Sequence, residues 1–239
     1  MDNWITARLA GVLRDASDPL VVDLGYGATP VTAVELAARL ATVRRDVRVL
    51  GLEIDADRVA AAQPVADPPR LTFARGGFEL AGQRPAIVRA ANVLRQYDEA
   101  AAAEAWTTMR AGLAVGGVLV EGTCDELGRL GCWVLLDRAG PVSLTFACRV
   151  ESLARPAALA ERLPKALIHR NVPGEAIQRF LRGFDAAWDT VAAISAFGPR
   201  QRWIAAGRAL AAAGWPVDTS RARHGELTVR WSAVAPTGG

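Results

Sequence analysis

The sequence predicts an α/β fold, a doubly wound and mostly parallel sheet with antiparallel strands toward the C-terminus and a helical insertion. Three observations carry this. Short apolar strand runs alternate with helical stretches through the first half of the chain. An acid and two spaced glycines follow the first such run, in VVDLGYGATP at 21–30. The second half changes to period-two strands around a run of helices.

The elements follow in order. MDNWITARLAGVLRDA at 1–16 has helical spacing and reads as an N-terminal helix. LVVDL at 20–24 is a buried strand, and PVTAVELAARLATV at 30–43 a helix with Val31, Val34, Leu36 or Ala37, and Leu40 inward. RVLGLEI at 48–54 is the second strand, and Asp55 is placed to cap a helix over 55–63. PVADPP breaks that helix. LTFA at 71–74, AIVRAANV at 86–93 and VLVEGTC at 118–124 are further strands, with a helix at 98–113 before the last. CWVLLD at 132–137 and VSLTFACRV at 142–150 read as an antiparallel hairpin. Helical stretches near 156–170, 174–195 and 199–213 form a cap over 151–214, and ELTVRWSAV at 226–234 alternates like an edge strand. A Pro-Thr-Gly-Gly tail, expected to be flexible, closes the chain. The expected organisation is one domain over 1–239 with its ligand-binding core at 18–123.

Composition narrows the function classes. Hydrophobic residues make up 51% of the 239 and charged residues 22%, which excludes a disordered chain. No apolar run reaches the ~18 residues of a membrane span, and the N-terminus lacks signal-peptide character, so a cytoplasmic protein with no membrane partner is expected. Lys165 is the only lysine, so nearly all the positive charge is arginine, and a net charge of +3 is weak support for nucleic-acid binding, whose footprint would be a clustered patch rather than a small net excess. Cys124, Cys132 and Cys148 have no metal spacing and form no disulfide framework; no metal is expected. Trp4, Trp106, Trp188 and Trp203 sit at helical spacings and read as core.

A doubly wound sheet binds ligands beyond the carboxyl ends of its strands. That places Asp23–Thr29, Glu53, Gly76–Phe78, Asn92 and Glu121–Asp125 along one rim. Gly25 and Gly27 allow positive φ and a close ligand approach. Thr29 is placed to cap the next helix, with Pro30 at its first position. A dinucleotide pyrophosphate favours a third glycine and a free N–H where Pro30 stands, so a ligand without phosphate suits the turn better.

DLGYGAT at 23–29 resembles motif I of the class I S-adenosylmethionine-dependent methyltransferases, which have a Rossmann-like fold. The resemblance covers roughly 18–123. It implies that Asp23 orients the loop and the methionine ammonium, and that Gly25, Tyr26 and Gly27 lie against the methionine part. It implies a ribose contact for Glu53, which stands 26 residues beyond Gly27, near the ~20 usual in a nucleotide-binding unit. Ile54 then faces the adenine. Gly77 stands where the family often has an acid for the adenine amino group, with Phe78 placed to pack on the ring and Glu79 placed to shift in. Asn92 and Val93, in RAANVLRQY, fall beside the sulfonium.

The resemblance thus implies S-adenosylmethionine as cofactor and a methyltransferase. Arg95, Tyr97 and Asp125 are candidates for the acceptor pocket, and Asn92 and Glu121 for a catalytic contact. A small-molecule acceptor is expected, with RNA or protein as alternatives. The Ala-rich helices are read as core or as a homodimer interface. Two rival functions stand beside this one: a non-catalytic binder of the cofactor or its product, which Gly77 favours, and a nicotinamide-dependent oxidoreductase, which Pro30 disfavours. Lys165 and His169, at i,i+4, read as a solvated helix end. His224 reads as exposed in a polar loop.

Overall fold

The computed structural model describes residues 1–237; the last two glycines of the Pro-Thr-Gly-Gly tail lie outside the described residues. The chain divides into two compact units, Met1–Glu121 with Leu136–Gly140, and Gly122–Leu135 with the chain from Pro141 onward.

The first unit opens with two short helices, α1 (Asp2–Arg8) and α2 (Ala10–Asp15), in place of one continuous helix. Leu9 between them has left helical geometry, at φ −106° and ψ 11°. Then follow β1 (Leu20–Leu24), α3 (Val31–Ala41), β2 (Arg48–Glu53), α4 (Ala56–Ala62), β3 (Leu71–Arg75), β4 (Ile87–Ala91), α5 (Glu99–Gly112) and β5 (Val118–Cys124), whose last three residues belong to the second unit. The strand order is β3-β2-β1-β4-β5. The β1–β2, β2–β3 and β1–β4 pairs are parallel. This is the expected Rossmann-like α/β arrangement. The chain winds outward through β2 and β3, then returns to place β4 on the other side of β1. The topological switch point therefore lies between β1 and β4.

Strand β1 is buried along its whole length, as a central parallel strand requires. The stripe that α3 turns inward is Ala33, Leu36, Ala37 and Leu40, an i, i+3, i+4, i+7 set. Val31 and Val34 were expected inward and are exposed instead, because that stripe leaves them off its face. Gly51 in β2 has no room for a side chain. A Cβ there would sit 2.6 Å from the Phe73 ring and 3.0 Å from that of Tyr26, which pack edge to face. Asp55 caps α4 by accepting from the amides of Asp57 and Arg58.

The second unit is antiparallel. It contains β6 (Leu130–Leu136, its last residue in the first unit), β7 (Pro141–Cys148), α6 (Lys165–Ile168), α7 (Ala176–Thr190), α8 (Pro199–Ala212), β8 (Val217–Asp218) and β9 (Glu226–Arg230), in sheet order β6-β7-β9-β8. The last strand was expected at an edge but is flanked on both sides, by β7 and by the two-residue β8. It stops at Arg230, where a 3₁₀ turn begins. The helix expected over 156–170 is a 3₁₀ segment, Pro156–Arg162, followed by the single turn of α6. Pro164 explains the break, since it drives Leu163 into extended geometry, with ψ 138°. Helix α7 packs Ile177, Phe180, Leu181 and Phe184 inward, again at helical spacing. Phe180 stacks on Phe146 and meets Trp215 edge-on, and Phe184 leans on Trp203. No helix among the described residues is long and apolar enough to cross a membrane.

Candidate functional site

A cavity of about 820 Å³ opens in the first unit, and its walls come from the segments that leave the carboxyl ends of four parallel strands. Leu24, Gly25 and Gly27 follow β1, and Glu53, Ile54, Asp55 and Arg58 follow β2. Gly76–Glu79 follow β3, and Ala91–Val93 with Arg95–Tyr97 follow β4. It is large enough for a nucleoside-sized ligand.

Local backbone geometry makes these walls. Gly25 and Gly27 have φ of +68° and +82°, which L-residues adopt at a cost of about 1–2 kcal/mol. Gly25 has a second requirement, because a Cβ on it would lie 2.8 Å from a methyl of Val93. The β1 and β4 loops therefore approach each other at the switch point only because residue 25 is glycine. Asn92 ends β4 in the left-handed region, at φ +63°, which asparagine tolerates better than most residues. Thr29 stays exposed and makes no cap bond. Helix α3 starts at Val31, and Pro30 rather than Thr29 is its N-cap residue.

The loop after β3 is held by an unusual turn. Leu80, Ala81 and Gly82 are successive left-handed residues, with φ of 56°, 51° and 71°. Leu80 is fully buried, and Gly112 near the end of α5 leaves room for it; a Cβ on Gly112 would be 3.0 Å from the Leu80 side chain. Burial of one leucine side chain, worth about 1.5–3 kcal/mol, offsets much of the strain. The anchor fixes Gly76–Glu79 against the cavity.

Glu53 is the most constrained acid there. It is buried; one carboxylate oxygen accepts from the Gly27 amide at 3.2 Å and the other from its neighbour Ile54 at 2.9 Å. Arg58, half exposed, reaches it at 3.6 Å and Asp55 at 3.7 Å. The carboxylate thus ties the end of β2 to the glycine turn after β1. Glu79 folds back so that its carboxylate accepts from the Gly77 amide at 2.8 Å, and this backbone hydrogen bond holds its pKa below the usual range. A Cβ built on Gly77 would lie 3.0 Å from the other Glu79 oxygen. The Glu79 carboxylate therefore fills the space that a side chain at 77 would enter. Phe78 meets Tyr97 edge to face across the two loops, with ring centroids 5.4 Å apart.

Gly25, Gly27, Glu53, Ile54, Gly77, Phe78, Asn92, Val93, Arg95 and Tyr97 all line this cavity, as do Glu79 and the unforeseen Asp55, Arg58 and Gln96. Four other candidates sit elsewhere. Tyr26 is buried against Phe73, and its hydroxyl donates to the Arg58 carbonyl; burial raises its pKa, helped by the nearby Glu53 charge. Asp125 belongs to the second unit, where its carboxylate accepts from the Arg129 amide in the β5–β6 turn.

Asp23 is 2% exposed and does not line the cavity. Both of its oxygens accept from Arg89, Nε at 2.8 Å and Nη2 at 2.6 Å. The pairing follows from the register, which sets Asp23 of β1 directly opposite Arg89 of β4. Arg89 also donates to Asp2 of α1 at 2.7 Å, and these two carboxylates hold its pKa above the ordinary arginine value against the opposing effect of burial. Thr32 completes the group at 3.5 Å from Asp23. Arg89 was missed at the sequence level. Its signal was an arginine inside one apolar strand matched by an aspartate inside another.

Glu121 is also buried and outside the cavity; one of its oxygens accepts from the Trp106 indole at 3.2 Å. Burial pushes its carboxyl from the usual 4.5 up to about 8, against the pull of the indole N–H. The unfolded chain releases that proton near 4.5 and the folded chain near 8. The stability contributed by Glu121 is therefore complete below pH 4.5 and is lost as the pH rises through about 8. At about 1.4 kcal/mol per pH unit the loss amounts to a few kcal/mol. Urea denaturation of wild type and Glu121→Gln between pH 5 and 8 checks this. The glutamine variant should gain on wild type as the pH rises, and parallel curves would refute the assignment.

No protein-family model matches the chain, and no curated protein does. Solved structures match parts of it. One is described as a pericyclic reaction enzyme, at 16% identity and a TM-score of 0.40, covering 50% of this chain and 32% of that one. Methyltransferases are among the others. The magnesium protoporphyrin IX methyltransferase from Synechocystis, with bound SAH, is 19% identical at a TM-score of 0.39, over 52% of this chain and 56% of that one. The CcbJ methyltransferase from Streptomyces caelestis is 19% identical at 0.39, over 59% and 64%. The chain spans less than two thirds of the length of each of these three.

Proposed function

We propose that this protein binds S-adenosylmethionine in the 820 Å³ cavity and transfers its methyl group to a small-molecule acceptor. One observation carries the reading: a buried carboxylate at the end of β2, Glu53, bonded to the glycine turn at the end of β1, on the wall of a cavity at the switch point. A nucleoside ligand without a pyrophosphate suits that arrangement. The ribose hydroxyls donate to Glu53, displacing Arg58 toward Asp55, and the adenine lies between Ile54 and Phe78. Glu79, held in the space beside Gly77, accepts from the adenine amino group, so the missing acid at 77 is replaced by one two residues on. The methionine part runs past Gly25 and Gly27 toward Asn92 and Val93. Its ammonium is left to backbone and loop groups, since Asp23 is spent on Arg89.

Charge supports the same ligand. Glu53, Asp55 and Glu79 face Arg58 and Arg95, a formal balance of −1, against a cofactor carrying a net positive charge. Methyl transfer from a sulfonium is an in-line displacement: the acceptor forms a bond to the methyl carbon as the sulfur–carbon bond breaks. The protein's part is orientation and a shaped, dry site. Arg95, Gln96 and Tyr97, on the β4 side of the cavity, are placed to meet the acceptor.

Two experiments test this. Labelled methyl groups should pass from S-adenosylmethionine to a small-molecule fraction of a lysate, insensitive to nuclease. Transfer to no fraction would leave a cofactor binder without catalysis. Glu79→Ala should weaken S-adenosylhomocysteine about 10-fold, one hydrogen bond to a charged group, yet not weaken the analogue with oxygen in place of the 6-amino group, whose carbonyl gives Glu79 no donor. Equal losses for both would refute the adenine contact.

A further inference from the structure

The second unit has a concavity of its own, of about 550 Å³, that the cofactor reading does not use. It is lined by Arg149, Arg200, Arg223 and His224, with Glu151 as its only acid, and by the buried Cys148. We propose that it is a binding site for the phosphate group of a small phosphorylated ligand carrying two or more negative charges.

The frame is rigid. Gly225 has φ +77°, and a Cβ on it would collide with the Cys148 carbonyl; Cys148 in turn donates its amide to the Gly225 carbonyl at 2.9 Å. The ends of β7 and of the 222–224 turn therefore lie side by side, and Arg149 and Arg223 project from beside that junction, while Arg200 comes from α8. Their side chains are partly positioned as well. Glu151 offers one oxygen to Arg200 at 3.2 Å and the other to Arg149 at 4.0 Å. Arg223 donates Nε–H to Nε2 of His224 at 3.1 Å, which leaves the paired amino groups of its fork for another acceptor.

Charge then defines the ligand. Three guanidiniums and one carboxylate leave a formal excess of +2 in one concavity. Arg200 adds to the strain, because it lies in the first turn of α8, at the positive end of the helix dipole, where no acid is present. Such a cluster is matched by a dianion, and guanidinium forks fit phosphate oxygens in bidentate fashion. A concavity of about 550 Å³ suits a small ligand better than an extended polyanion, which would need a stripe of charge along the surface. Chemistry at the thiol is not implied. Burial pushes the Cys148 pKa up to about 12, so the thiolate is absent at neutral pH.

Calorimetric titration of the whole protein with pyrophosphate, at low ionic strength, tests this. A saturable isotherm with a Kd of about 1 mM or tighter is expected. Arg200→Gln and Arg223→Gln should each weaken it about 5-fold or more, with melting temperatures unchanged because both side chains are solvent-facing. Together they should abolish it. A titration without saturation, or variants that bind like wild type, would overturn the proposal. So would a short single-stranded RNA that binds through these arginines while pyrophosphate does not.

Discussion

Arg89→Leu should cost the protein about 3–5 kcal/mol, a large part of the ~5–15 kcal/mol that holds a domain together. The arginine is 5% exposed and sits between two carboxylates, one of which, on Asp23, is 2% exposed. Removing the cation leaves that carboxylate buried with only the weak Thr32 contact. Asp2, more exposed, can turn to water, so Asp2→Ala should cost far less. Removing both charges of the central pair, in Asp23→Asn with Arg89→Leu, should recover part of the loss, because the penalty lies in the stranded charge rather than in a missing attraction. Urea denaturation of the four proteins gives the numbers. A loss under about 1 kcal/mol for Arg89→Leu would mean that Arg89 does not compensate a buried Asp23 charge.

Glu53→Ala should weaken S-adenosylhomocysteine binding about 30-fold or more. Two charge-assisted hydrogen bonds to ribose hydroxyls are lost, and even partial retention by water leaves about 2 kcal/mol. The same change frees the Gly27 amide and Arg58, so it acts on loop order as well as on contact. Glu53→Gln separates the two effects in part. The amide oxygen can still accept from the Gly27 N–H, but the NH2 then faces the Ile54 N–H, so one backbone contact is kept and one lost, while the charge that strengthens the ribose bonds is gone. An intermediate affinity is expected for it. Equal affinities in all three proteins would remove Glu53 from the ribose.

Much of the first unit's cavity was legible in local patterns. Apolar runs mark strands whose carboxyl ends deliver residues to the cavity, and Gly25, Glu53 and Asn92 were placed there by that signal. Side chains sit away from the expected rim where a non-local partner decides. Asp23 looks like a ligand contact until its strand neighbour is known; pairing with Arg89 depends on a register set by residues 66 positions apart. Glu121 was put on the rim because it follows an apolar run, yet β5 turns it toward Trp106 of α5. Val31 and Val34 show a subtler failure, since several helical phases fit one alanine-rich segment and only packing selects among them. Arg58 was within reach of a local argument: it lies three residues beyond Asp55 in α4, on the side of that cap.

The central claim is that the first unit's cavity is an adenosyl-sulfonium site. Calorimetric titration of the wild-type protein with S-adenosylhomocysteine, beside NAD under the same conditions, tests it most directly. The account predicts saturation at one ligand per chain with a micromolar Kd, and no saturable heat from NAD. Binding of NAD with equal or greater affinity, or no binding of S-adenosylhomocysteine at all, would contradict it.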